Sequence, residues 1–525
     1  MSKLTRRRFI GTLMPAIALE LTSPINFCRA ETIPPKIKIR AVQSLSSYNP
    51  SHEGEVISVI HEIDGSVKFV AADAKIFKVD GVKVIQSPNT KLVFVRDEYY
   101  SNRIVRPSWY GCRGEGKISP DTICFAKMLK SLVDGDHIIL TKGEVYYNDF
   151  PNNSQDKDGW TITANNITLD GEGATLSRIT PPNYLCVDYT TLKITGDNCK
   201  IQGVLLITSD DPIGYPIMGY RSTEKLDQRE LFCRPVANTL NLWVKGVNGF
   251  YVGDGVILKN AVFNFFANHQ SNNLNIHCSA ISSGQIYPQP VSKSSDLALG
   301  SSFKLDRCRN FMIKSTAINT AYAGVELEGN NTNGTVKIKT LKAYHAGLHI
   351  WNNSSDIKFD AYSEDITAGG GLIIGPGCKN CNGNSYVTNS LYVVAFVGDS
   401  KTGDLTGCDI VASGKNVLRG VEFYTRTLID NSSIRNNKIT LFAKYGDWGG
   451  ASSDYKSGIV LNGGENNTIK AELISFDYIL SIRRGGNNKL DIKYDRFKKR
   501  MYRENNPFFS NRFIVNKIDG YDLGK

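Results

Sequence analysis

From about residue 160 onward, short β-branched runs alternate with turns that are rich in asparagine. The runs are four to six residues long, which is typical of β-strands, and no long amphipathic segment of helical period separates them. Paired asparagines mark the turns, and the last two pairs begin 21 residues apart: Asn165-Asn166, Asn272-Asn273, Asn466-Asn467 and Asn487-Asn488. The pattern predicts many short strands at nearly constant spacing.

One segment repeats closely enough to fix the period. The residues AGVEL at 323–327 recur 23 residues later as AGLHI at 346–350. A period in the low twenties is typical of a solenoid, and the Leu-rich consensus of leucine-rich repeats is missing here. We therefore expect an all-β protein that forms a parallel β-helix, whose strands stack about 4.8 Å above those of the previous coil. Asparagine suits its turns because it tolerates left-handed backbone and can bond the next coil.

A helix is predicted just before the repeats. Ser119 can cap its start with Pro120 in the first turn, and Phe125, Leu129 and Leu132 then fall on one face. The first coil of a solenoid exposes unpaired strand edges, so this helix is expected to cover the N-terminal end.

The residues before the predicted helix follow a different sequence pattern. Alternating runs at 55–60 and 91–95 are separated by Asp64-Gly65 and Asp80-Gly81, which predict hairpins in a small β module ending near Pro107. The predicted division has four parts, namely a signal peptide at 1–30, the module at 31–108, the β-helix at 109–500 and a C-terminal tail or cap at 501–525.

The composition is that of a folded, mildly basic protein. The 525 residues are 41% apolar and 22% charged with a net charge of +11, which excludes a disordered or collagen-like protein. The positive charge favours an acidic partner such as a uronic polysaccharide. No nucleic-acid-binding motif is recognised, and no apolar run is long enough to span a membrane.

The N-terminus resembles a twin-arginine export signal. Arg6, Arg7, Arg8 and Phe9 precede a short apolar run, and Ala30 offers a cleavage site. The pattern predicts a periplasmic or secreted protein that uses the twin-arginine translocation machinery. The alternative is a basic arm on a cytoplasmic protein.

The cysteines give no metal-binding framework. Ten of the eleven lie after residue 30, and only Cys378 and Cys381 form a close pair. Without a second pair or a histidine cluster, a local disulfide or packed thiols are favoured over zinc. We expect no cofactor, and no compact calcium loop is visible.

A family resemblance begins where the module ends. Residues 109–116 read WYGCRGEG and are followed by Pro120-Asp121-Thr122 and the predicted helix. This order resembles the opening of the pectate lyase superfamily, usually FGAKGDG followed by DDT, and 41–108 resembles the module before it in tailspike-like proteins. The superfamily includes polygalacturonases, rhamnogalacturonases and phage tailspikes. The resemblance implies a right-handed parallel β-helix that acts on polysaccharides.

The catalytic motifs of polygalacturonases are not reproduced. Ala321-Tyr322 stands where the paired aspartates are expected, and the segment 343–347 only approximates Gly-His-Gly. Ser295-Asp296 is a remnant at most, and no Arg-Ile-Lys is present. The two-acid mechanism of that family therefore does not transfer directly.

Strand alternation supplies another candidate site. If Val325 and Leu327 face the core, Glu326 points outward and lies roughly 5 Å from His349 on the next coil, on an exposed face. The candidate catalytic residues are Glu326, His345, His349 and Glu422, and the candidate substrate-binding residues are Tyr322, Glu328, Tyr424, Arg426 and Asp296. The alternative is a solvated strand face whose charges serve solubility.

These observations leave three functional hypotheses. The first is an exported glycosidase or lyase that cleaves an acidic polysaccharide in a groove on the β-helix. The second is a non-catalytic role in exopolysaccharide production, assembly or binding, which the missing aspartate pair favours. The third is a phage tailspike-like depolymerase, although virion assembly requires no export signal. The sequence does not indicate an oligomeric state.

Overall fold

The computed structural model describes residues 38–39, 42–61, 65–149, 159–178, 189–209, 239–287, 297–425, 433–446, 456–504 and 510–518. The predicted export signal lies outside these ranges. Within them, no helix has the length and apolar character that a membrane crossing requires. The helical turns are few: Val42–Ser47, Asp97–Asn102, Pro107–Tyr110, Gly116–Ile118 and Thr122–Lys130.

Three rows of parallel strands make up the solenoid, and each strand pairs with strands one coil before and one coil after it. Row A contains Ile104–Val105, His137–Ile139, Thr168–Asp170, Cys199–Gln202, Asn248–Val252, Asn272–Ile276, the first parts of the long strands named below, Thr468–Ile474, Lys489–Tyr494 and Arg512–Lys517. Row B contains Val145–Asn148, Ala174–Arg178, Leu205–Ser209, Val256–Ala261, Ser279–Ser283 and the next parts of the long strands.

Row C follows row B in each coil. It contains Trp160–Ile162, Tyr189–Ile194, Thr239–Lys245, Phe263–Asn268, Phe303–Asp306, Ala323–Glu328, Ala346–Ile350, Ser457–Glu465, Phe476–Gly486, Phe497–Glu504 and the last parts of three long strands. The long strands are Arg309–Thr320, Thr332–Ala343, Ser355–Ile374, Asn382–Gly398, Asp409–Thr425 and Lys438–Tyr445. Two short strands, Leu405–Thr406 and Ile434–Arg435, pair in the turn after row C, and Gln285–Tyr287 pairs with Leu297–Leu299. The predicted parallel β-helix is confirmed.

The N-terminal sheet does not pair with the strands of the solenoid, although it packs against the same hydrophobic core. Its five strands lie in the order Lys38–Ile39, Val56–His61, Gly65–Asp73, Leu92–Arg96 and Val84–Gln86. The first predicted hairpin is confirmed by antiparallel pairing of Val56 with Val70.

The second predicted hairpin, at Asp80-Gly81, is wrong. Val84–Gln86 pairs with Leu92–Arg96, which separates it from Gly65–Asp73. Asp80 Oδ1 accepts hydrogen bonds from the amides of Val82, Lys83 and Val84, so the turn directs the chain to the edge of the sheet.

The predicted capping helix is present as Thr122–Lys130, but Ser119 is not its cap. A short helical turn at Gly116–Ile118 precedes it, and Asp121 occupies the N-cap position. Asp121 Oδ1 accepts a hydrogen bond from the Arg113 amide at 2.9 Å, outside the helix. Phe125 is fully buried and stacks on Trp160 at 4.2 Å between ring centroids. The helix therefore covers the first coil through aromatic packing.

Asparagine supports the turns in the two predicted ways. Asn166, Asn273, Asn466 and Asn487 all have φ between 55° and 56°. The second residue of a pair can point inward, as Asn467 does, where its Oδ1 accepts hydrogen bonds at 3.0 Å from the amide and the Nδ2 of Asn437 one coil away. Buried polar groups of the turn thereby find partners on neighbouring coils.

Within the described ranges, the cysteines form buried thiols and one disulfide. Cys378 and Cys381 are free and fully buried beside Cys408, so of the two sequence interpretations the packed thiols are correct. Cys112 and Cys124 form a disulfide with 5.5 Å between their Cα atoms, which the sequence analysis did not predict. The disulfide links the capping helix to residues 109–116, the segment that resembles the opening of the pectate lyase superfamily.

Replacing Asn467 with alanine should lower the free energy of unfolding by about 3 kcal/mol, because it leaves several buried groups of the adjoining coils without partners. Urea unfolding followed by circular dichroism measures this change. Asn384→Ala is the matched control, since Asn384 is partly exposed on a strand, and its effect should stay within about 0.5 kcal/mol. Equal losses in the two variants would contradict a supporting role for the asparagine stack.

Candidate functional site

The register of row C brings the two principal candidates together. Glu326 pairs with His349 on the next coil, and the preceding coil places Lys304 beside Glu326. The inward neighbours Val325 and Leu327 are fully buried in the main core, as the alternation predicted. Lys304, Glu326 and His349 therefore occupy one file of outward side chains on three successive coils.

The face that carries this file is covered, in contrast to the exposed face expected from the sequence. Glu326 is 7% exposed and His349 is 4% exposed. Lys304 lies over the ring of Phe263 at 5.3 Å from its centroid, and the Trp351 ring lies 4.8 Å from that of His349. Large outward side chains of neighbouring strands thus remove the carboxyl and the imidazole from water.

The Glu326 carboxyl accepts hydrogen bonds from two donors, one neutral and one positively charged. Ser301 Oγ donates to Oε2 at 2.6 Å, and Lys304 Nζ donates to Oε1 at 3.1 Å. Lys304 Nζ also donates to Glu328 Oε2. One ammonium group therefore bridges two carboxylates on the same strand.

Burial has the largest effect on the titration of this group of residues. It raises the pKa of Glu326, with a further rise from Glu328, and both outweigh the opposing effects of Lys304 and Ser301. Burial also opposes the charge on Lys304, but the two carboxylates outweigh it and the pKa of Lys304 is raised. The site thus combines a carboxyl that holds its proton more strongly than usual with a stable cation.

Two histidines and a tyrosine pack beside the carboxyl. The rings of Tyr322 and His345 stack at 4.6 Å between centroids, with an angle of 16° between planes. His349 meets both edge-on, at 5.3 Å from Tyr322 and 5.8 Å from His345. Its buried Nδ1 has no hydrogen-bond partner within the described part of the chain.

Both imidazoles are neutral at physiological pH. Burial lowers the pKa of His345 to about 4 and lowers the pKa of His349 well below its usual value. Electrostatic repulsion from the neighbouring His345 and Lys304 opposes protonation of His349 and lowers its pKa further. A neutral imidazole with an unoccupied nitrogen can accept a proton or bind a hydroxyl group.

Glu422 and Tyr424 do not join this cluster. The register runs from Glu326 through His349, Ile373 and Ala395 to Glu422, which is four coils and roughly 19 Å away. Glu422 is bound by Arg419 of its own strand. Arg426 and Asp296 lie outside the described residues.

The residues predicted from the sequence did not include Lys304, Ser301 and Trp351. A signal for Lys304 was present, because FKLD at 303–306 repeats the apolar-charged alternation of VELE at 325–328.

Among the described residues, one group has side chains close enough to hold a metal ion: Cys112, Asp121 and Cys124. Its two cysteines are joined in the disulfide.

Comparisons with known proteins find similarity only in structure. No family model matches the sequence, and no curated protein does. An exopolygalacturonase of Yersinia enterocolitica is 11% identical with a TM-score of 0.39, over 92% of this chain and 90% of the other. An exopolygalacturonase of Thermotoga maritima is 13% identical with a TM-score of 0.34, over 77% and 92%.

A phage structure matches at the same level. The enzymatically active domain of tailspike protein 2 of bacteriophage CBA120 is 12% identical with a TM-score of 0.39. The match covers 87% of this chain and 57% of that domain, so the chain spans a little over half of its length. At these identities and scores the likenesses concern the fold, and no activity or site residue is transferred from them.

Replacing His345 with phenylalanine should weaken the acid sensitivity of the fold. Because the folded pKa of His345 is lowered to about 4, only the unfolded chain takes up its proton between pH 6.5 and 4, and stability falls as pH falls through this window. Phenylalanine keeps the stacking on Tyr322 but removes the proton uptake. The loss of unfolding free energy between pH 7 and 4.5 should shrink by about 2 kcal/mol, measured by urea unfolding.

The control for this experiment is His52→Gln, because His52 is exposed in the N-terminal module. This variant also removes one histidine, so a difference between the two variants reports on the environment of His345. A His345→Phe variant with an unaltered pH dependence would contradict the lowered pKa.

Proposed function

We propose that the protein is an exported enzyme that cleaves glycosidic bonds in an acidic polysaccharide, with Glu326 as the proton donor. The observation that carries the proposal is the buried carboxyl of Glu326 in register with the neutral His349 and bonded to Lys304. Exported location is part of the proposal and rests on residues 5–30. Residues 1–30 carry five basic residues and one acidic residue, so four of the eleven net positive charges leave with the proposed signal, and the remaining positive charge supports an acidic substrate.

Hydrolysis is the first reaction that the arrangement supports. A carboxyl with a raised pKa can protonate the leaving oxygen of the glycosidic bond. Glu328, whose side chain is 39% exposed, is the second carboxylate. Because both bind the same Nζ, their nearest oxygens lie at most roughly 6 Å apart, which suits a retaining mechanism with Glu328 as nucleophile.

Elimination is a second candidate reaction, favoured by the unpartnered Nδ1 of His349. In a uronic polysaccharide, Lys304 would neutralise the sugar carboxylate and His349 would accept the proton from C5. The bond between C4 and the bridging oxygen then breaks, Glu326 protonates that oxygen, and a double bond forms between C4 and C5. No second carboxylate is needed.

A non-catalytic binding or assembly role is supported by one observation. Lys304 pairs with both Glu326 and Glu328, so each carboxylate already has a cation. Ion pairs that are wholly or partly buried also occur as structural elements. Retention of polysaccharide without product formation would identify this role.

Replacing Glu326 with glutamine should reduce product formation about a thousandfold, because glutamine keeps the shape but cannot donate the proton. The assay incubates the purified protein with polygalacturonate, alginate and other acidic polysaccharides and analyses the products by mass spectrometry. A gain of the mass of water indicates hydrolysis, whereas ultraviolet-absorbing ends without that gain indicate elimination.

Glu472→Gln is the matched control, since Glu472 lies on a strand outside row C and its loss should leave turnover unchanged. If the Glu326→Gln variant keeps full activity, the proposed proton donor is wrong. If the wild type yields no product from any polymer that it binds, the enzymatic proposal fails as a whole.

Replacing Glu422 with glutamine should change the rate by no more than about twofold, because four coils separate it from Glu326. The same product assay measures this, with folding checked by circular dichroism. A loss as large as that of Glu326→Gln would show that catalysis is centred near Glu422.

A further inference from the structure

A surface groove lies apart from the Glu326 cluster, on the side of row B that faces away from row C. At the bend between rows A and B, a groove of about 430 Å³ extends over several coils. Its lining includes Asp254, His277, Lys314, Lys337, Lys339 and Tyr362. None of these residues belongs to the row C cluster around Glu326.

Lysines are concentrated on two successive coils of this groove. Lys314 pairs in register with Lys337, and Lys339 lies two residues further along the same strand. All three side chains are exposed. The strands that carry them, Arg309–Thr320 and Thr332–Ala343, contain no aspartate or glutamate. The strands thus present positive charge without an acidic residue of their own.

Exposed aromatic rings continue from the lysines. Lys339 pairs in register with Tyr362, and Tyr362 pairs with Tyr386 on the following coil. Tyr362 is 40% exposed and Tyr386 is 43% exposed, although tyrosine is usually more buried. Lys339 Nζ lies 5.7 Å from the centroid of the Tyr362 ring. Two solvent-facing rings therefore stand about 4.8 Å apart along the axis.

We propose that this groove is a non-catalytic binding site for an acidic polysaccharide whose chain runs along the solenoid axis. Sugar rings stack on Tyr362 and Tyr386, while uronate carboxylates pair with Lys314 and Lys337. The choice of an acidic polymer rests in part on the proposed function, since the same polymer would be held here and cleaved at row C. Binding at this groove does not itself require catalysis.

The acidic residues of the groove favour a polysaccharide over a nucleic acid. Asp254 lies in the lining, and Asp360 pairs in register with Lys337. Their carboxylates can accept hydrogen bonds from sugar hydroxyl groups, which a uronic polymer offers on every ring. The phosphodiester backbone of DNA carries no hydroxyl groups that could donate to them. The mixture of lysine, tyrosine and aspartate thus fits a polymer that carries both carboxylates and hydroxyl groups.

Two variants test the proposal. The first replaces Lys314, Lys337 and Lys339 with glutamine, and the second replaces Tyr362 and Tyr386 with alanine. Affinity electrophoresis in polygalacturonate should show binding roughly tenfold weaker for each variant, whereas neutral amylose should not distinguish the lysine variant from the wild type. The charge-matched control replaces three exposed lysines far along the solenoid: Lys438, Lys470 and Lys489.

The outcomes separate this site from the proposed catalytic one. The Glu326→Gln variant should bind polygalacturonate as the wild type does, and the lysine variant should retain turnover of short oligosaccharides. If Glu326→Gln loses product formation while the lysine variant binds polygalacturonate as the wild type does, the proposed binding groove is wrong. The proposed catalytic site is then unaffected. Equal weakening in the control triple variant, or tighter binding of single-stranded DNA than of polygalacturonate, would also overturn the proposed binding groove.

Discussion

Parallel pairing in register between each strand and the strand one coil away is the interaction on which this structure depends. It satisfies the backbone groups of the three rows and fixes which residues of neighbouring coils lie side by side. The turns must hold that register, and asparagines such as Asn467 do so through hydrogen bonds to adjacent coils. The capping helix covers the first coil, where pairing has no partner on one side.

The same register creates two surfaces of different character. On row C, Lys304, Glu326 and His349 stack in one file and are covered by aromatic neighbours. At the bend between rows A and B, lysines and tyrosines also stack, but they remain in solvent. A single repeating backbone therefore supports a desolvated polar cluster suited to proton transfer and an open surface suited to holding a polymer.

Charge compensation decides the chemistry of the covered cluster. Burial favours a neutral Glu326 and a neutral His349, whereas Lys304 favours ionised carboxylates. The balance raises the pKa of Glu326 while Lys304 keeps its charge. A carboxyl with a raised pKa, an imidazole with a lowered pKa and a cation thus lie close together, because they occupy three neighbouring strands and the rings of Tyr322 and Trp351 exclude water.

The sequence by itself determined the parallel β-helix, the covering helix and the register of Glu326 with His349, because strand alternation and a 23-residue repeat are local patterns. Only the tertiary structure decided that Glu326 is buried, that Lys304 binds it and that Glu422 lies four coils away. It also showed that Asp121 rather than Ser119 occupies the N-cap position, and that Cys112 forms a disulfide with Cys124. Burial and ion pairing depend on side chains from other coils, and no spacing within one strand reveals which of these will cover it.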